Sequence, residues 1–283
     1  MPPKRHLTAR RVRLGAELRK LREATGMKAR EAAELLGADS VQMSQIESAV
    51  AGVSAERVRR LAAHYSCMDE AFIDALVAMA TDRTQGWWED YRGVLPQVNL
   101  DVAELEHHAK FIREVVITHV PGLLQTADYA RAVFRYMRPE LPESEVAPRV
   151  EHRMRRRVVI EGDAPTAYET IVHEFALRIR VADRQASLAQ LRFILGQIDD
   201  GHATVRVVPV DQDGFGGAGA SMMYLGGPVP KLDTGLRDSP TGIGFIDAQP
   251  QLEHLRTLLR RVEKASLDPV ASREFIHRLT KEL

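Results

Sequence analysis

This chain of 283 residues is poor in cysteine, in aromatic residues and in net charge. One cysteine, Cys67, excludes an intrachain disulfide and suits a reducing, cytoplasmic setting. No apolar run reaches the roughly 18 residues that a membrane helix needs, and the N-terminus lacks the apolar core of a secretion signal. The two tryptophans are adjacent, Trp87-Trp88. Lys+Arg and Asp+Glu both number 39, so bulk charge alone draws the whole chain to no polyanion. The neutrality hides an asymmetry. Residues 1–66 carry 13 basic and 7 acidic residues, a net of +6, and the remainder carries 26 and 32, a net of −6. A basic module heads an acidic body, which concentrates any DNA-attracting field at one end.

The segment from Leu14 to Ala49 explains that end. Leu14, Leu18 and Leu21 form an apolar stripe at helical spacing, and Gly26 supplies a left-handed stop. Ala29 to Leu36 forms a second helix that buries Ala32, Ala33, Leu35 and Leu36, with Ala33 small enough for close helix approach. Gly37 makes the bend, and Asp39 or Ser40 caps a third helix. Met43 and Ile46 turn inward, leaving Ser40, Val41, Gln42, Ser44 and Gln45 outward. This is the pattern of a helix-turn-helix, which presents its last helix to the major groove. Ser54–Tyr65 and Asp69–Ala80 add two helices, the first capped by Ser54, and residues 81–86 form a polar linker. The opening MPPKRHLTAR has the character of a disordered basic arm.

The stretch resembles the Xre/Cro-type family of phage-repressor-like regulators, whose DNA-binding domain has five helices. That family's third helix ends in Ser-x-Ile-Glu-x-Gly; here it reads Ser44-Gln45-Ile46-Glu47-Ser48-Ala49, with alanine in place of the glycine. Ala29 stands where the family often has a glutamine. The resemblance implies base reading by Ser40, Val41 and Gln45, with Gln45 able to bond adenine and Val41 able to pack on a thymine methyl. Gln42 and Ser44 share the exposed face, and Lys28 and Arg30 are candidate phosphate contacts.

Residues 87–283 are long enough for a second core. The periodicity predicts helices over Val102–Val116, from a Thr126 cap through Phe134, and over Glu143–Val158, where Arg149, Arg153, Arg155, Arg156 and Arg157 cluster beside glutamates as in a salt-bridged helix. Thr166–Phe175 and Ala203–Val210 read as strands flanking a helix over Asp183–Ile198. Short strands follow at Met222–Leu225, Lys231–Leu236 and Gly242–Ile246, then helices at Gln249–Lys264 and Pro269–Leu279. The expected fold is mainly α: a five-helix N-terminal domain over 1–80, then an α+β domain over 87–283 in which a helical segment precedes a small mixed sheet flanked by helices.

The string Pro121-Gly122-Leu123-Leu124-Gln125-Thr126, followed by Tyr129-Ala130, resembles the opening of a domain of unknown function that follows Xre-type domains in many actinobacterial regulators. Glu174 with Leu177, Gln190-Leu191, Val205–Pro209 and Ser266–Ser272 extend the match, whereas Leu232-Asp233-Thr234-Gly235 departs from it. Members are described as antitoxin-like or developmental regulators and are often encoded beside a small acidic protein, so the resemblance implies such a partner.

Enzymatic readings are weak. Gly214–Gly219 fits G-x-G-x-x-G, but the residues after it predict a strand where a dinucleotide site needs a helix. His173-Glu174 lacks the second histidine of H-E-x-x-H, because position 177 is leucine. The sequence thus predicts a non-enzymatic, dimeric regulator of double-stranded DNA without metal or cofactor. Its C-terminal domain either dimerises and binds a partner protein or holds a small-molecule pocket.

Overall fold

A computed structural model describes residues 7–239 and 242–283. It divides into two compact units, one ending at Glu89 and the other beginning at Asp90. Residues 1–6 of the basic arm lie outside the described part; the arm's last residues are ordered as the start of α1.

The first unit holds α1 (Ala9–Ala24), α2 (Ala29–Leu35), α3 (Ser40–Glu47), α4 (Ala55–His64) and α5 (Glu70–Thr81). Side-chain caps set four of the starts: Thr8, Asp39, Ser54 and Asp69 each accept from a backbone N–H three residues on. Left-handed residues set the stops. Gly37 at φ +62° ends α2, with the Gly37 N–H on the Glu34 carbonyl and the Ala38 N–H on the Ala33 carbonyl. Leu18, Met43, Leu61 and Leu76 are fully buried at the centre. Leu21 and Leu35, expected inside, are only half-buried. The inner side of α1 instead buries Arg13, Glu17 and Arg22 beside its leucines. After α5, Trp88 is buried and Trp87 meets it edge-on at 6.1 Å.

The second unit contains α6 (Gln97–His108), β1 (Phe111–Val116), α7 (Ala127–Met137), α8 (Glu143–Arg155), α9 (Val158–Glu161), β2 (Ala167–His173), α10 (Glu174–Arg178), α11 (Arg184–Asp199), β3 (Thr204–Val208), β4 (Met222–Gly226), β5 (Thr234–Ser239), β6 (Gly242–Ile246), α12 (Gln249–Ala265) and α13 (Pro269–Glu282). The sheet order is β3-β2-β1-β4-β5-β6. β1, β2 and β3 are parallel, and β4, β5 and β6 continue the sheet as an antiparallel meander. One face packs Ile112, Val116, Tyr168, Val172 and Leu225 into a core shared with α11 and α13. The other packs Val115, Ile171, Met222 and Tyr224 under Leu252, Leu255 and Leu259 of α12.

One expectation fails outright. Val102–Val116 is not a single helix: the helix stops at His108, Ala109 turns extended, and Phe111–Val116 is a strand. Leu105, Ala109, Ile112 and Val116 do fall at helical spacing, which is why the pattern misleads. The tertiary setting decides, because β1 is an inner strand with β2 on one side and β4 on the other, and buried β-branched residues suit that place. Similarly, the strand expected through Phe175 ends at His173, where a short helix begins.

Candidate nucleic-acid interface

The α2–turn–α3 hairpin is held from below. Ala32, Ala33, Leu36, Met43 and Ile46 pack inward, and α1 approaches α3 so closely that a Cβ at Gly15 would collide with the Glu47 carbonyl oxygen. Arg22 of α1 then grips the end of α3. Its Nε and one terminal nitrogen donate to the two Glu47 carboxylate oxygens at 2.6 and 2.9 Å, while the other terminal nitrogen donates to the Met27 carbonyl at 2.7 Å. Beside this pair, burial pushes the Tyr65 phenol up to about 12, with the Glu47 charge adding to the effect. Arg60 donates to the Leu35 carbonyl at 2.7 Å and satisfies the end of α2.

Asp39, not Ser40, caps α3: its carboxylate accepts from the Gln42 N–H at 2.7 Å. Ser40 is therefore the first helical residue. Ser40, Val41, Ser44 and Gln45 are exposed, Val41 to 63%, and Gln42 is half-buried rather than fully outward. No hydrogen bond to another described residue occupies the side chains of Ser40, Gln42, Ser44 or Gln45. Lys28 and Arg30 lie exposed at the start of α2. The Lys28 N–H donates to the Glu31 carboxylate at 2.7 Å, leaving its ammonium outward, and Arg30 pairs with Glu34 at 3.2 Å. That exposed pair is weak enough to exchange for a phosphate. After α3, Ala49 holds the left-handed turn at φ +63° that the absent glycine would favour.

The sequence does not reveal the Arg22–Glu47 grip. Glu47 stands out as part of the Ser-x-Ile-Glu string, but Arg22 lies 25 residues earlier within a run of basic residues. Only the polarity break at position 22, on the inner side of α1, points to it.

In the second unit the Pro121–Thr126 string is a clamped loop. The Gln190 side chain accepts from the Thr126 N–H at 2.8 Å and donates to the Leu124 carbonyl at 2.6 Å. Gln125 donates to the Val120 carbonyl at 2.8 Å and accepts from Arg153 at 2.8 Å. The Tyr129 hydroxyl accepts from the Val120 N–H at 3.1 Å. Thr126 caps α7 as expected, accepting from the Tyr129 N–H. Near this loop, buried Glu106 pairs with Arg156, and buried Glu114 accepts from the Tyr168 hydroxyl at 2.7 Å. Burial pushes the Glu114 carboxyl up to about 7 and the His152 imidazole down to about 3. The arginine-rich α8 and its C-terminal cap are salt-bridged: Arg149 with Glu145, Arg155 with Asp90, and the cap residue Arg156 with Glu106.

The glycine-rich loop from Gly214 runs into β4, so it offers no helix N-terminus to a pyrophosphate. Among the described residues no three His, Cys, Asp or Glu side chains are grouped to hold a metal ion, and no helix is long and apolar enough to cross a membrane.

Comparison with known families fits both units. A model described as helix-turn-helix domain matches residues 13–76, and one described as domain of unknown function (DUF5753) matches residues 100–278. No curated protein and no solved structure matches the chain. The chain is thus a DNA-binding regulatory protein of the DUF5753 family, in which that domain follows an N-terminal helix-turn-helix domain of the Xre/Cro-like superfamily.

Proposed function

We propose that this protein is a sequence-specific transcriptional regulator that reads double-stranded DNA as a homodimer, with α3 in the major groove. The observation that carries this reading is the row of exposed, unengaged side chains on a helix fixed at its base by Arg22 and Glu47. Ser40, Val41 and Gln45 face base edges, Gln42 and Ser44 border them, and Lys28 and Arg30 meet phosphates. The face has no arginine to clamp guanine, so affinity leans on phosphate contacts and on two half-sites bound together.

The second unit, in this reading, supplies dimerisation and receives a small partner protein in the cytoplasm; the family resemblance supports the partner. Selection from random duplexes followed by footprinting tests the DNA part. The expected result is an inverted repeat with half-sites about 34 Å, one helical turn, apart. A single isolated half-site per protein rejects the dimer, and equal binding to selected and random duplexes rejects sequence reading. Co-expression with the products of adjacent small genes tests the partner; no co-purifying complex rejects it.

A further inference from the structure

Of the clustered arginines, Arg149, Arg155, Arg156 and Arg157 each have a carboxylate within 4.0 Å: Glu145, Asp90, Glu106 and Glu161 in turn. Arg153 is the exception. Among the described residues its guanidinium makes one hydrogen bond, from Nη1 to the Gln125 side-chain oxygen at 2.8 Å, and lies over the Phe134 ring with Cζ 4.5 Å from the centroid. No carboxylate of a described residue comes within ion-pair distance of it.

Arg153 is nevertheless drawn into the protein. It is half-buried, and Gln125, its acceptor, is 2% exposed. Burial, joined by the Arg156 charge, lowers the guanidinium to about 10, against the favourable charges of Asp238, Glu106 and Glu114. Those acids do not pair with it. Glu106 is held by Arg156, Glu114 is bonded to Tyr168 with its carboxyl pushed up to about 7, and Asp238 stays beyond ion-pair distance. The Arg153 charge reaches the loop after β1, where burial and then Arg153 lower the His119 imidazole. A charge withdrawn from water without an ion partner is costly, and buried charges are regularly paired.

We propose that Arg153 anchors a binding site for a small organic carboxylate, formed by α8, α7 and the Pro121–Thr126 loop. The free donors define the approach. Phe134 covers one face of the guanidinium and Gln125 takes Nη1, which leaves the edge formed by Nε and Nη2. That edge presents two parallel N–H groups, the arrangement that matches both oxygens of a carboxylate. The loop beside it is already fixed: Gln125 also donates to the Val120 carbonyl, and Gln190 holds Leu124 and Thr126. A ligand therefore meets a preformed donor, with little ordering to offset its affinity. The neighbouring acids select for charge. With Glu106, Glu114 and Asp238 acting on the same guanidinium, one negative charge is neutralised and a dianion such as sulfate is repelled. The site lies wholly in the second unit and does not rest on the reading of DNA proposed above.

The test uses the full chain at about pH 6, where Glu114 carries its proton. Acetate, hexanoate and benzoate are titrated calorimetrically at constant ionic strength, each against its uncharged amide and against sulfate. At least one carboxylate is expected to bind saturably at a single site and to raise the unfolding midpoint of the second unit, whereas the amides and sulfate show no saturable binding. Arg153→Gln is expected to abolish the binding. Arg153→Lys, which keeps the charge and loses the two-point edge, is expected to weaken it about tenfold. Failure of all three carboxylates to bind, amides or sulfate binding as tightly, or binding that Arg153→Gln leaves intact overturns the proposal. Thermal unfolding without ligand checks the fold of both variants. If Arg153→Gln is unstable, Arg153→Lys decides, because unchanged affinity there overturns the two-point contact on which the proposal stands.

Discussion

Arg22 and Glu47, 25 residues apart, form a two-point ion pair that fastens the end of α1 to the end of α3 beneath the candidate DNA-reading face. Both side chains are more than nine-tenths buried, so neither charge has water to replace its partner. Substituting Glu47→Ala leaves the guanidinium buried with only the Met27 carbonyl as a firm acceptor. The expected loss is about 3 kcal/mol in the first unit, because removing one member of a buried pair costs more than the pair itself contributes. Urea unfolding of the full chain, followed by a signal local to the first unit, measures it. The double variant Arg22→Met with Glu47→Leu should recover much of the loss; no recovery would mean that the pair does not act as a unit.

Ala49 offers a gain in stability. Its φ of +63° places a Cβ where an L-residue is strained by roughly 1–2 kcal/mol, while glycine is not. Part of the relief is offset by glycine's extra freedom in the unfolded chain. Ala49→Gly should therefore stabilise the first unit by about 0.5–1 kcal/mol, read as a higher urea midpoint with an unchanged slope. An unchanged or lower midpoint would show that this turn is not strained.

The first unit is legible because its signals are local. The Asp39 cap, the Gly37 stop and the apolar spacing of Met43 and Ile46 all lie within a few residues of what they control. The second unit is legible where an element is amphipathic, as in α11 and α12, and illegible where burial is two-sided. β1 is the clearest case: its role depends on β2 and β4, which begin 56 and 111 residues after Phe111. The Pro121–Thr126 string signals family membership, but its physical role depends on Gln190, 64 residues from Thr126. Distant partners of this kind leave no periodic trace.

Glu114 makes the second unit sensitive to pH. Burial raises its carboxyl to about 7, against the Tyr168 hydrogen bond and the charges of Arg156 and Arg153 that favour ionisation, with Glu106 adding to the rise. An unfolded glutamate titrates near 4.3. Between those values the folded state keeps a proton that the unfolded state has lost, so this group's stabilising contribution is full below the unfolded value and is lost as pH rises through about 7. His152 acts in the opposite sense. Its depressed pKa contributes stability above its unfolded value that is lost as pH falls toward about 3. The difference between Glu114→Gln and wild type isolates the carboxyl, since glutamine can still accept from Tyr168. At pH 8 the variant should be the more stable by about 2–3 kcal/mol, and the advantage should shrink toward pH 5. Unfolding midpoints of the two proteins across that range check this; parallel curves would refute it.

Gln45 and Lys28 should separate base reading from phosphate binding. Gln45 is exposed on α3 with an amide able to bond two adenine atoms, so Gln45→Ala should cost about 1–3 kcal/mol on the selected site and relax the preference at one base pair. Lys28 is exposed at the start of α2, where a phosphate would be met without regard to sequence. Lys28→Ala should weaken specific and random duplexes alike and lower the salt slope by about one per protomer. Titrations of both variants at several salt concentrations, against selected and random duplexes, distinguish the roles. Equal losses on both duplexes for Gln45→Ala would remove it from base reading, and an unchanged salt slope for Lys28→Ala would remove that ammonium from the phosphate backbone.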